Sequence, residues 1–347
     1  VNGDKKVFNT HLKCFVVTVY DRRYLLVLFH FAFPGKIRYT WKKQEVCFME
    51  RTFTYHIPKQ DAGMTIYDYL KKNGYSHAVL VHLKKTKESV LRNGIWDYMN
   101  TRLAAGDTLT VHLIEQDGSP NIVPAALPLE ICYEDEDILV INKDKNTPVH
   151  PSMNHYDHTL ANAVAYYYAA QGIPYTFRCA NRLDRDTTGL TVLAKHLLSS
   201  AILNDQVSRR ELHREYLAIV CGTVPESGII DAPIARKEGS TIERVVSFEH
   251  GERAITHYRR LACKDGLSLV HLVLETGRTH QIRVHMKYIG HPLIGDFLYY
   301  PDFTKISRQA LHSYRLTFHH PITGKPLVFT APLPPDMLAL FPDVLLP

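Results

Sequence analysis

Asn181 to Leu190 reads Asn-Arg-Leu-Asp-Arg-Asp-Thr-Thr-Gly-Leu, and its first eight residues hold two carboxylates, two guanidiniums and two hydroxyls. It runs directly into Leu190-Thr191-Val192-Leu193-Ala194, which has the composition of a strand. A charge-dense loop must therefore feed a β-element here. Two uses of such a loop are open on these residues alone. Asp and Thr bond their own backbone readily, so the segment can be a surface loop stabilised by local Asp–Arg pairs. It can also hold one carboxylate ionised and aimed at a ligand.

Two further stretches decide between them. About ninety residues on, the chain reads Leu274-Glu275-Thr276-Gly277-Arg278-Thr279-His280-Gln281-Ile282-Arg283-Val284-His285, followed by Gly290-His291-Pro292-Leu293-Ile294-Gly295-Asp296. Between the clusters lies Arg214-Glu215-Tyr216-Leu217-Ala218-Ile219-Val220-Cys221-Gly222, a strand-like run led by charges and a tyrosine. In this order the segments resemble the RluA-type family of RNA pseudouridine synthases. That family's signature is Arg-Leu-Asp followed by Thr-Ser-Gly, a basic residue near a Tyr, and Gly-Arg-Thr-His-Gln-(Ile/Leu)-Arg. The resemblance covers roughly residues 128–335.

Composition excludes several other classes. A chain of 347 residues, 45% hydrophobic, can bury a sizeable core and has room for two domains. Six scattered cysteines without a C-x-x-C pair argue against a zinc ribbon or disulfide framework and fit a reducing cytoplasm. No apolar run approaches the roughly eighteen residues that span a bilayer, so no membrane partner is expected. The net charge of +6 is not spread evenly, because residues 1–48 carry nine Lys/Arg against three Asp/Glu and the remainder is balanced. RNA contact by the remainder must then come from locally clustered cations.

Residues 1–48 stand apart in pattern as well. Phe15–Tyr20 and Tyr24–Phe29 are apolar runs split by Asp21-Arg22-Arg23, which speaks against a signal peptide or anchor. A β-hairpin extension is one reading. The favoured expectation is an atypical leader, an upstream addition before a natural start at Met49. Residues 49–117 read as a small module. Ile66 and Leu70 share a helix face with Gly74 beyond it, a second helix spans about Ala78–Lys87, and Asn93-Gly94 is a strong hairpin signal. Leu109, Val111 and Leu113 alternate as a closing strand. This order resembles the small ribosomal-protein-type RNA-binding module found before many such synthase domains; a packing domain with a solvated lysine face is the alternative. Residues 118–128 read as a linker, and 129–347 as the catalytic domain. In that domain Glu130–Lys143 gives two strand pieces around an acidic turn, and helices are expected over Thr159–Gln171 and Leu197–Leu212. The family's usual Lys-Pro-x-Gly is replaced by Lys143-Asp144-Lys145-Asn146. The fold class expected is α+β, a pseudouridine synthase fold with a mixed, largely antiparallel sheet.

The resemblance implies isomerisation of specific uridines in structured RNA, ribosomal or transfer, to pseudouridine. That reaction adds no group and changes no oxidation state, so no cofactor is expected, and the chain has no G-x-G-x-x-G opening a helix and no Walker loop. Asp184 matches the family's catalytic carboxylate. Arg283 matches the arginine that pairs with it, expected to hold the carboxylate bidentately. Tyr216 matches the active-site tyrosine, able to stack on uracil and to assist proton transfer. Arg182, Arg185, Arg278, His280, Lys84 and Lys85 are the candidates for gripping RNA once the base is flipped. His280, His285 and His291 fit no common ligand spacing, and no metal is expected. A monomer acting on RNA is the expectation; a non-catalytic RNA-binding protein of the same fold is the alternative.

Overall fold

The computed structural model describes residues 16–21, 24–33, 36–44, 49–152 and 156–346. Before Met49 it gives only the backbone of β1 (Val16–Asp21), β2 (Tyr24–Phe33) and β3 (Lys36–Gln44), an antiparallel sheet of their own. The rest of the expected leader lies outside the described residues.

The small module runs β4 (Met49–His56), α1 (Ile66–Lys72), α2 (His77–Lys85), β5 (Val90–Arg92), β6 (Ile95–Trp96) and β7 (Thr108–Glu115), with sheet order β4-β7-β5-β6. Local chemistry sets the boundaries. Thr65 and Ser76 accept from the backbone N–H groups of Asp68 and Val79, capping the two helices. The second cap starts α2 one residue before the sequence expectation, and the helix ends two residues sooner, at Lys85. Asn93 and Gly94 both have positive φ (53° and 81°), as a type I′ hairpin turn needs. Alternate residues of β7 are buried, as the alternation of Leu109, Val111 and Leu113 predicts. Strand β4 was not legible in advance, since Phe53 is its single buried residue.

The larger domain contains β8 (Ile131–Glu134), β9 (Ile138–Lys143), α3 (Leu160–Ala169), β10 (Thr188–Ala194), α4 (Leu197–Ser208), β11 (His213–Cys221), β12 (Ser227–Asp231), β13 (Ile234–Arg236) and β14 (Arg244–Val246). It continues with β15 (Ile255–Lys264), β16 (Leu267–Leu274), α5 (Gln281–Tyr288), β17 (Leu311–His319), β18 (Pro326–Thr330) and α6 (Pro335–Leu338). Nine strands form one sheet in the order β12-β15-β16-β11-β17-β10-β9-β8, with β18 added to β17. Among the described pairings of this sheet only β10 with β17 is parallel, so the sheet is mixed and largely antiparallel. Strand β10 is buried along its whole length. Leu193 packs into one core layer while Leu190, Val192 and Ala194 pack into another, which explains the unbroken apolar run.

The two domains share core. Leu198 of α4 is buried among Ile66, Leu70, Leu80 and Leu109 of the module, with Ile202 packed beside it. Glu115, buried at the end of β7, accepts from Leu197 N at 2.6 Å and from Arg178. Arg51 of β4 donates to Asp137 at 2.9 Å. The intervening segment has linker composition, but Ser119 bonds Tyr175 O (3.2 Å) and Phe177 N (3.0 Å), tying it to the larger domain.

Candidate active site

The charged loop enters β10 at the centre of the sheet, where β10 and β17 run side by side. Gly189 has φ +106°, and a Cβ there would lie 2.2 Å from Ser313 O. Only glycine permits this approach. The loop's backbone is held from beneath by buried cations. Lys143 Nζ donates to Arg185 O (2.8 Å), Asp144 O (2.8 Å) and Thr147 O (3.0 Å). Burial pushes the Lys143 ammonium down to about 7, against the opposing pull of the Asp186 and Asp184 charges. Arg308 donates to Asp186 O at 3.2 Å while its fork grips Asp336 at 2.8 and 2.9 Å. Asn181 is buried and bonds Leu190 O and Val192 N, so its amide shapes the loop. Asp186 accepts from Asn146 N at 3.2 Å and closes the loop that departs from the family's Lys-Pro-x-Gly.

These restraints present Asp184, whose side chain is 26% exposed. Its Oδ2 accepts from Arg283 Nη1 at 2.9 Å, across ninety-nine residues of sequence. Among the described residues no hydrogen bond reaches Oδ1. Arg283 lies on α5, in a turn shaped by Gln281, whose Oε1 accepts from Thr276 Oγ1 (2.8 Å) and Arg278 N (3.0 Å). His280 caps that helix with a φ of 58°.

The expected bidentate hold on Asp184 is corrected by this geometry. The guanidinium fork faces Asp296, with Nε and Nη2 each 2.7 Å from its carboxylate oxygens, and only Nη1 is left for Asp184. Asp296 is fully buried, so the paired geometry that satisfies a buried guanidinium goes to it and not to the half-open Asp184. Burial alone would lower the Arg283 pKa; the Asp296 bonds and the Asp184 charge outweigh it and raise it. Tyr299 closes the arrangement. Its ring lies 4.9 Å from the guanidinium carbon, and its hydroxyl is 2.9 Å from His280 Nδ1.

Asp184 opens into a cleft of about 360 Å³ lined by Tyr216, Arg182, Arg278, His280 and Arg283 among others. Tyr216 reaches it from β11; burial raises its phenol pKa and keeps the hydroxyl protonated. Arg182 is exposed at the rim. Arg278 pairs with Glu252 and donates to Arg253 O at 3.2 Å. His280 Nε2 stands 3.9 Å from Asp184, and burial lowers its pKa. Three candidates lie elsewhere. Arg185 folds back on Asp186 (3.0 and 2.8 Å) and over Phe297, lining a separate depression. Lys84 and Lys85 are exposed on α2, Lys84 above the Tyr67 ring. His285 and His291 are engaged apart, His285 with Thr256 and Ala232 O, His291 with Cys221 O.

Sequence reasoning missed Asp296, Tyr299, Lys143 and Arg308 as parts of this site. Asp296 ended a quoted motif, but nothing in its spacing said that it would face Arg283.

A family model described as RNA pseudouridylate synthase matches residues 137–288. The chain is 41% identical over 278 residues to "Uncharacterized RNA pseudouridine synthase YjbO" of Bacillus subtilis (strain 168), covering 80% of this chain and 98% of that protein. It is 37% identical over 268 residues to the ribosomal large subunit pseudouridine synthase D of Escherichia coli (strain K12), 73% of this chain and 82% of that one. The solved structure of human RNA pseudouridylate synthase domain containing 1 matches with a TM-score of 0.51 at 25% identity, over 62% of this chain and 87% of that chain.

Proposed function

The chain belongs to the RNA pseudouridylate synthase family, an isomerase family, and from that premise we propose that it converts specific uridines of structured RNA to pseudouridine with Asp184 as the reacting carboxylate. The observation that carries this is the one-sided pairing of Asp184: Arg283 occupies Oδ2 at 2.9 Å and no described residue bonds Oδ1. The reaction breaks the bond between ribose C1′ and uracil N1, turns the base and rejoins it through C5, with the C5 proton lost. It calls for one ionised carboxylate at the glycosidic bond, held in place and open on one side. The single bond from Arg283 supports that reading. A neutral Tyr216 phenol offers uracil a flat apolar face.

A stacked uridine must leave its helix to reach this cleft, at a cost of a few kcal/mol. In this reading Arg182, Arg278 and His280 meet the RNA around the flipped nucleotide, and Lys84 and Lys85 give the small module a second contact with it. Ribosomal RNA is the substrate we favour, because several relatives carry ribosomal large subunit synthase names.

RNA labelled with tritium at uracil C5 tests the proposal. Wild-type protein should release label from ribosomal RNA, and Asp184→Asn should lower the rate by at least about a thousandfold while still binding RNA. Undiminished release by the variant, or no release from ribosomal or transfer RNA by the wild type, overturns it.

A further inference from the structure

Arg214, at the start of β11, is half-buried and lines the same cleft as Asp184 and Tyr216. Among the described residues its side chain makes no hydrogen bond and no ion pair, and its buried Nε has no partner. Three buried arginines of this domain each have a carboxylate: Arg283 has Asp296, Arg308 has Asp336 and Arg178 has Glu115. The acid next to Arg214 is committed elsewhere, since Glu215 faces His271 at 2.8 Å and Arg315 at 3.6 Å. A guanidinium cannot discharge by losing its proton, so taking it partly out of water without an anion is costly. Its position is nevertheless specific. A Cβ added at Gly277 would lie 2.5 Å from Arg214 Nη1, so the guanidinium rests against a glycine of the Gly-Arg-Thr-His-Gln turn.

We infer that Arg214 is a phosphate-binding residue, receiving the RNA phosphodiester next to the flipped uridine. This rests on the RNA-modifying reading above and names one anchor of the substrate. The charge around the cleft favours an anion, because among the described residues neither Arg182 nor Arg214 has a carboxylate partner and the Asp184 charge is shared with Arg283. A planar fork with free N–H groups matches two phosphate oxygens. The glycine at 277 leaves the space that brings the fork to the wall of the cleft.

The test is equilibrium binding of substrate RNA as a function of potassium chloride. Arg214→Met should weaken binding about tenfold at low salt. It should also make the plot of log affinity against log salt shallower by about 0.7–0.9, the share of one phosphate contact. Arg214→Lys should keep the wild-type slope. Arg214→Gln, which keeps a polar side chain but removes the charge, should reproduce the methionine variant. An unchanged slope in both Arg214→Met and Arg214→Gln overturns the inference. If the methionine variant fails to fold, Arg214→Gln decides alone. Wild-type protein that shows the slope yet releases no tritium would overturn the proposed reaction and leave Arg214 as a phosphate anchor.

Discussion

Arg283 has five donors in a fixed plane, and the way they are shared determines how Asp184 is presented. Asp296 holds the fork and is itself held by the backbone N–H groups of Leu298 (3.0 Å) and Tyr299 (3.1 Å). Asp184 is left with a single bond from Arg283, and among the described residues its other oxygen is free. Were the fork released, it could close bidentately on Asp184 and mask the oxygen the reaction needs. Asp296→Asn, which keeps the shape but removes the charge, should therefore lower the single-turnover rate about a hundredfold. RNA affinity should stay within about twofold of wild type, since Asp296 is fully buried. A drop in affinity with an unchanged rate would show that Asp296 acts elsewhere. The same substitution should cost on the order of 3 kcal/mol in urea unfolding, because it unbalances a buried ion pair.

At the scale of elements, the site depends on the parallel step between β10 and β17 inside an otherwise antiparallel sheet. The paired positions are Thr188 with His312 and Gly189 with Ser313, directly after the Asp184 loop. Ser313 also faces Tyr216 across the β11–β17 ladder, so one residue of β17 sets both the loop and the tyrosine strand. Gly189→Ala would place a methyl group 2.2 Å from Ser313 O in a backbone region that L-residues avoid. It should destabilise the protein by about 3 kcal/mol and reduce turnover in the fraction that remains folded. Equal stability of this variant and the wild type in urea would mean that the step can open without cost.

The whole molecule joins its two domains by burial rather than by a tether. Leu198 is 1% exposed inside the core of the small module although it belongs to the larger domain. Leu198→Ala should cost about 2–5 kcal/mol and lower the melting transition of both domains together. Two separated transitions, with only the module's lowered, would show that the shared core does not couple them. The joint also carries Arg51, Asp137 and His196, with His196 Nε2 2.9 Å from Asp137. At its edge His320 Nδ1 accepts from Ile322 N and Thr323 N, which leaves Nε2 to donate to Asp135. This packing gives Lys84 and Lys85 a fixed place relative to the cleft.

Much of this protein was written locally. The Asn93-Gly94 turn, the alternation of β7, the apolar run of β10 and the helix beginning after Thr159 follow from forces acting within a few residues, so pattern alone determined them. The three motifs around Asp184, Tyr216 and Arg283 were likewise legible, through their resemblance to one family's pattern. Tertiary structure alone decided how the arginine's donors are divided, that Arg185 turns away from the cleft, that Arg214 meets no carboxylate among the described residues and that α4 completes the module's core. Each depends on which distant groups compete for the same donor or the same buried volume. That competition is settled only when separate segments of the chain are brought within about 3 Å, the reach of a hydrogen bond.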